Sequence, residues 1–220
     1  DINIKNKRVL MRVGYDITLS EENGRLAVPD DTRIKATIPT IRYLLEHGCS
    51  LVFMSWLKRP EGQVVEKLRM NPIAEKLAEL LKLPVKKVSN CVGPEVAQAT
   101  SRMRAGDLLM LENTRFHPEE ETADPAFAKE LAKAGEIVVY DAFAQSHRVH
   151  ASTTGILEYH RQTCCAGWLM KKEIDVLSKI TKSPMKPFVL ILGGVKISDK
   201  VETMRHLMKK ASIMLIGGAL

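Results

Sequence analysis

The sequence holds 220 residues, 45% of them hydrophobic, which is enough apolar material for a buried core and excludes a disordered tail. Lys and Arg number 33 against 26 Asp and Glu, and the net charge of +7 with 5% aromatics is too weak to mark a nucleic-acid platform. No apolar run approaches the ~20 residues of a membrane-spanning helix, and the lead DINIKNKRVLMRV has neither the apolar stretch nor the cleavage site of a signal peptide.

Taken in chain order, short apolar runs alternate with helical patterns. RVLMRV (8–13) reads as a strand. Residues 33–46 then place Ile34, Ile38, Ile41, Leu44 and Leu45 at helical spacing, and Gly48 ends the pattern. LVFMS (51–55) is the next strand, and Asn71-Pro72 opens a helix over 72–81. A weak strand at 85–88, a helix at 94–103 and a buried strand at 108–111 follow. Asp124 caps a helix over 125–134, Gly135 closes it, and IVVY (137–140) is again a strand. This rhythm predicts a parallel sheet wrapped by helices, with continuous apolar strands buried on both faces. Ligands of such sheets sit beyond the carboxyl ends of the strands.

After Tyr140 the pattern changes. Residues 141–165 are dense in His, Ser, Thr and Gly and read as an active-site loop. A long helix is expected over 168–180, a boundary over 181–187, a fresh strand over 188–192, a helix over 199–208 and a last strand over 213–216. Two strands and one helix cannot close a core of their own, so the second unit reads as the start of a larger one. The expected organisation is a first domain over 1–166, an interdomain helix over 167–183 and an incomplete second domain over 184–220. Cys49, Cys91, Cys164 and Cys165 show no zinc or CxxC spacing and read as reduced cytosolic thiols.

Chemistry-bearing residues fall just after the strands. Gly14-Tyr15-Asp16 follows the first, Trp56-Leu57-Lys58-Arg59-Pro60 the second, Glu112-Asn113-Thr114-Arg115-Phe116-His117 the buried LLML strand, and Asp141-Ala142-Phe143 with His147-Arg148-Val149-His150 the IVVY strand. Arg33 opens the first helix. Arg33, Arg59, Arg115 and Arg148 thus reach one edge, where their planar donor forks suit phosphate or carboxylate. His147 and His150 join them, or pack and cap the loop. The stretch GGVKISDK (193–200) lacks the spacing of a Walker A loop, but its glycines allow close backbone approach to phosphate, and Lys196 and Lys200 add positive charge. An ordinary strand-to-helix turn capped by Asp199 is the plainer alternative.

These motifs together resemble the phosphoglycerate kinase family. The stretches that carry the resemblance are DDTRIKATIPTI from Asp30, LENTRFHPEEE, DAFAQSHRVHAST, LMKKEI and GGVKISDK, spread over essentially the whole chain. The resemblance implies an α/β fold: a Rossmann-like three-layer domain with a parallel sheet, an interdomain helix and the start of a second Rossmann-like domain. It implies phosphoryl transfer between 1,3-bisphosphoglycerate and ADP, giving 3-phosphoglycerate and ATP in glycolysis, with Mg2+. Hinge closure then joins a glycerate half to a nucleotide half. By resemblance Arg33 is the catalytic arginine and Lys196 contacts the transferring phosphoryl. Arg59, Arg115 and Arg148 bind the glycerate ligand, while Gly193, Gly194 and Lys200 meet the nucleotide. The metal and adenine sites of the family lie beyond residue 220. The cysteine usage and the polar lead point to a cytoplasmic location.

Three positions depart from the family pattern. Where the family reads R-V-D-F-N-V-P this chain has Arg12-Val13-Gly14-Tyr15-Asp16-Ile17-Thr18, and where it reads S-H-L-G-R-P this chain has Ser55-Trp56-Leu57-Lys58-Arg59-Pro60. The aspartate, asparagine and histidine that grip the hydroxyl and carboxylate end of the ligand are Gly14, Asp16 and Trp56. A lost hydrogen bond to a charged group costs about 1.5–3 kcal/mol, and Asp16 adds a charge that repels an anion. An impaired or inactive kinase is therefore expected. The alternative is a pseudoenzyme that serves a larger assembly as a structural or regulatory subunit through protein partners, with an anion site that still accepts 3-phosphoglycerate or another small anion.

Overall fold

The computed structural model describes residues 2–194 and 201–218, which belong to two compact units, Asp1–Lys171 and Lys172–Leu220. The first unit contains strands β1 (Arg8–Val13), β2 (Ser20–Glu22), β3 (Arg25–Ala27), β4 (Ser50–Met54), β5 (Val85–Lys87), β6 (Leu108–Met110), β7 (Ile137–Asp141) and β8 (Cys164–Ala166). Its helices are α1 (Thr32–Lys35), α2 (Ile38–Glu46), α3 (Asn71–Leu81), α4 (Pro94–Ser101), α5 (Pro118–Glu121), α6 (Pro125–Ala132) and α7 (Ile156–Tyr159), and α8 (Trp168–Lys182) follows them.

Six strands form one parallel sheet in the order β5-β6-β4-β1-β7-β8. Alternate residues of β1 serve opposite faces, as the two-residue period of a strand requires. Val9, Met11 and Val13 pack with Ile34 of α1, Ile41 and Leu44 of α2 and Ile73 and Leu77 of α3. Leu10 points the other way, beside Val52 and Val138, against Val96 of α4, Phe127 and Leu131 of α6 and Ile156 of α7. Both faces are therefore covered and the four central strands are almost wholly buried, while the edge strands β5 and β8 are partly exposed, so helices form the two outer layers. The chain leaves β1 toward β4 on one side and later returns to β7 on the other. The carboxyl end of β1 is thus the switch point of the sheet, where such folds open a crevice.

The local differences from the sequence expectation have physical reasons. The single helix expected over 33–46 is broken into α1 and α2, because Pro39 in the first turn of α2 offers no N–H to continue the ladder. The 141–165 segment ends in an added edge strand, β8, with Cys164 beside Val138. The polar stretch SEENGRLA folds into the antiparallel β2–β3 pair, with Asn23 at φ 52° and Gly24 at φ 75° making the two-residue turn.

The second unit pairs β9 (Val189–Gly194) with β10 (Ile213–Gly218) in parallel and carries α9 (Val201–Met208). Gly193 and Gly194, expected in a turn, instead end β9 and stand beside Gly217 and Gly218. Lys196 and Lys200 lie outside the described residues.

The approach of β1 to the turn before β7 leaves no room for a side chain at Gly135. A Cβ there would stand 2.5 Å from the Leu10 backbone nitrogen and 2.6 Å from the Leu10 Cβ. Gly135→Ala is expected to cost about 1–3 kcal/mol of folding stability, seen as a lower urea midpoint with unchanged slope. An unaltered midpoint would show that the centre of the sheet yields freely.

Candidate functional site

Four loops leave the carboxyl ends of β1, β4, β6 and β7, and buried polar side chains tie them together. Tyr15 follows β1. Its N–H donates to Ser55 Oγ at 3.0 Å, and its hydroxyl meets Thr37 Oγ1 at 2.6 Å. Asn113 joins the loops after β4 and β6: its Oδ1 accepts from the N–H groups of Leu57 and Arg115, both at 3.1 Å, and its Nδ2 donates to Leu57 O at 2.8 Å. Glu112 accepts from the N–H groups of Met70 and Asn113, both at 2.9 Å, and from Arg69 Nη1 at 3.0 Å, with Lys87 Nζ also in contact. The backbone that carries the site is therefore held by groups that would be costly to leave unpaired.

Lys58 has a left-handed backbone at φ 56°. That conformation aims its N–H at Asp16 Oδ1, 2.9 Å away, while its carbonyl accepts from Arg115 Nη1 at 2.8 Å. Asp16 thus pins the loop that presents Arg59, so one of its oxygens is already committed.

The loops enclose a cavity of about 180 Å³ lined by Asp16, Arg33, Trp56, Arg59, Arg115, Ala144, Gln145, His147 and Arg148. All four arginines singled out in the sequence meet here, with two of the three departures. The third, Gly14, lies beside it: a Cβ built on Gly14 would stand 3.9 Å from Gln145 Oε1. Four arginines and one acidic residue, Asp16, are among the residues that line the cavity. Arg33, Arg59 and Arg148 are exposed and have no ion-pair partner among the described residues. Arg115 is buried, and its Nε lies 3.0 Å from Glu121 Oε1 without pointing at it. Burial, ahead of its neighbours, holds the Arg115 guanidinium below its ordinary pKa. Such an array favours a small polyvalent oxyanion. Gly193 and Gly194 belong to the second unit.

Trp56 is the wall of this cavity. Its ring is buried between two cations, with the Arg12 guanidinium 4.2 Å and the Arg115 guanidinium 4.4 Å from ring centroids. Each such stack contributes about 0.5–2 kcal/mol when desolvated. His150 packs on the same ring at 5.0 Å. Behind it Arg12 Nε donates to Ser152 Oγ at 3.1 Å, and Ser152 Oγ donates to Glu120 Oε1 at 2.5 Å. Gln145 and this buried Arg12–Ser152–Glu120 chain are absent from the sequence-based set. The signal for Arg12 was a cation set between apolar residues near the end of the RVLMRV strand, which Arg8 opens; nothing local marked Gln145.

The comparisons with known proteins give one consistent family. The family model described as phosphoglycerate kinase matches residues 1–220. Among relatives, the phosphoglycerate kinases of Moorella thermoacetica and Chlorobium limicola are each 48% identical over the whole chain, which covers 54% of their length. Among solved structures, phosphoglycerate kinase from Pyrococcus horikoshii is similar at a TM-score of 0.84 and 31% identity, over 99% of this chain and 54% of that one. The structure from Coxiella burnetii gives 0.81 and 30%, over 99% and 53%. This chain therefore spans about half the length of the relatives it matches.

Burial, then the guanidiniums of Arg115, Arg148 and Arg12, holds the His150 imidazole below its ordinary pKa, and burial does the same to His117. A histidine depressed in the folded state takes a proton more readily once unfolded. Its contribution to stability is therefore complete above the ordinary value of about 6.5 and is lost as pH falls toward the folded one. The urea midpoint is expected to drop between about pH 7.5 and 5.5, and to drop less in His150→Gln. Equal drops in both proteins would show that His150 titrates as it does in the unfolded chain.

Proposed function

This chain belongs to the phosphoglycerate kinase family, and on that footing we propose that its first unit binds a phosphorylated glycerate for phosphoryl exchange with a nucleotide. The observation that carries the reading is the convergence of Arg33, Arg59, Arg115 and Arg148 on one cavity at the switch point of the sheet. Arg59, Arg115 and Arg148 hold the ligand's anionic groups. Arg33 is the exposed cation that meets the transferring phosphoryl group and offsets the charge that builds on it.

For this reaction the protein has little covalent work; positioning and charge are what it supplies. The nucleotide, bound with Mg2+, brings or accepts the phosphoryl group. Gly193 and Gly194 leave the carboxyl end of β9 free of side chains beside the glycines of β10, which suits close approach of a phosphate chain. Lys196 and Lys200 are the partners proposed for that chain. No cluster able to hold a metal occurs among the described residues, so none of them is assigned to Mg2+. No helix of the described residues is long and apolar enough to cross a membrane, and a cytoplasmic setting suits the four free cysteines.

Glycerate binding is proposed to be weakened here. Gly14 offers no side chain and Trp56 replaces a polar ring with an apolar wall. Calorimetric titration with 3-phosphoglycerate tests this. The chain with Gly14→Asp, Asp16→Asn and Trp56→His is expected to bind at least about tenfold more tightly than the unaltered chain, and Arg148→Ala more weakly than either. Equal affinities would remove the claim of weakening. Binding by the restored chain alone would favour the noncatalytic subunit.

A further inference from the structure

Two residues that line the arginine cavity hold buried side-chain polar atoms without a hydrogen-bond partner among the described residues. One is a donor, Arg115 Nε. The other is an acceptor, Gln145 Oε1, on a residue only 5% exposed. An all-cationic site needs only donors to hold a bare oxyanion. An idle acceptor beside those donors is complementary to a ligand that also carries an O–H group. The position of the acceptor is specific as well, because it faces the gap where Gly14 has no side chain. A Cβ at Gly14 would meet Ala142 Cα and Cβ at 3.7 Å and Gln145 Oε1 at 3.9 Å, all ordinary contact distances. The space is thus bounded but not filled. The terminal torsion of glutamine is broad, so the amide can turn toward a ligand without backbone movement. A neutral amide also accepts from a hydroxyl without adding negative charge beside an anion, and its NH2 can donate to a carboxylate.

We infer that Gln145 is a ligand-binding residue of this site, accepts a hydrogen bond from a ligand hydroxyl lying in the gap at Gly14, and so selects phosphorylated hydroxy acids over simple phosphate esters. The inference rests on the glycerate reading above and refines it. Gln145 does the work that a longer side chain at position 14 would otherwise do.

The test is calorimetric titration of the full chain with three anions: 3-phosphoglycerate, 3-phosphonooxypropanoate, which lacks only the hydroxyl, and inorganic phosphate. The unaltered chain is expected to prefer the hydroxylated ester by about tenfold, the value of one hydrogen bond. Gln145→Leu is expected to erase that preference by weakening 3-phosphoglycerate to the level of the ester that lacks the hydroxyl. Adding Gly14→Asp to Gln145→Leu is expected to return it. Gln145→Glu, which keeps both shape and acceptor, is expected to retain the preference while weakening all three anions, and serves if the leucine variant does not fold. Persistence of the preference in Gln145→Leu, or its loss in Gln145→Glu, overturns the inference and leaves the glycerate reading standing. Failure of all three anions to bind the unaltered chain overturns both.

Discussion

A cation buried in the central strand is the constraint around which the first unit is arranged. Arg12 sits with no exposed surface between β4 and β7, where every neighbouring strand residue is apolar or itself buried. Burial lowers its pKa and raises that of Glu120, so each ion is held away from its preferred state by loss of water. Ser152 bonds both and carries the contact between them. An arrangement of this kind is not a strong source of stability, but removal of one member strands the other, at about 3–5 kcal/mol. It therefore fixes one geometry: α5 with Glu120, the turn at Ser152 and β1 must meet in a single register.

That register reaches the site through Trp56. The indole stacks on Arg12 on the core side and on Arg115 on the cavity side. Arg115 is in turn oriented by the Lys58 carbonyl and carried by the loop that Asn113 holds. The chain of contacts runs from a buried charge, through an aromatic ring, to an arginine that lines the cavity. Position 56 is thus a structural element of the site as well as a departure from the family pattern.

The sheet was legible because its strands are continuous apolar runs and its helices start at Asn-Pro, Asp-Pro and Gly-Pro steps. The four arginines were legible because they follow strands. Other features were hidden for specific reasons. Pro39 divides a helix whose apolar spacing continues across the break, so periodicity alone joined α1 to α2. β8 is three residues long and is defined by pairing with β7, which no local pattern displays. The Asn23-Gly24 turn was a readable hairpin signal set between polar strands, where alternation is absent. Gln145 could not be found locally, because an unpaired acceptor is a property of its surroundings.

The same surroundings change the meaning of the three departures. Read one at a time, each subtracts a ligand contact. In the fold, the carboxylate missing at Gly14 has its counterpart two positions on at Asp16, so the charge of the loop matches that of the family pattern. Asp16 also holds the Lys58 N–H, which an asparagine oxygen could do equally well. Its charge is therefore what distinguishes the position, and it shares the cavity with four arginines. The acceptor missing at Gly14 has a neutral counterpart in Gln145 across a gap of ordinary van der Waals width. Only the histidine has no polar replacement, and Trp56 there stacks on a cavity-lining arginine. Substitutions that each remove a group of the family pattern redistribute charge and hydrogen-bonding groups when they occur together, because a ligand responds to the field and contacts of the whole cavity.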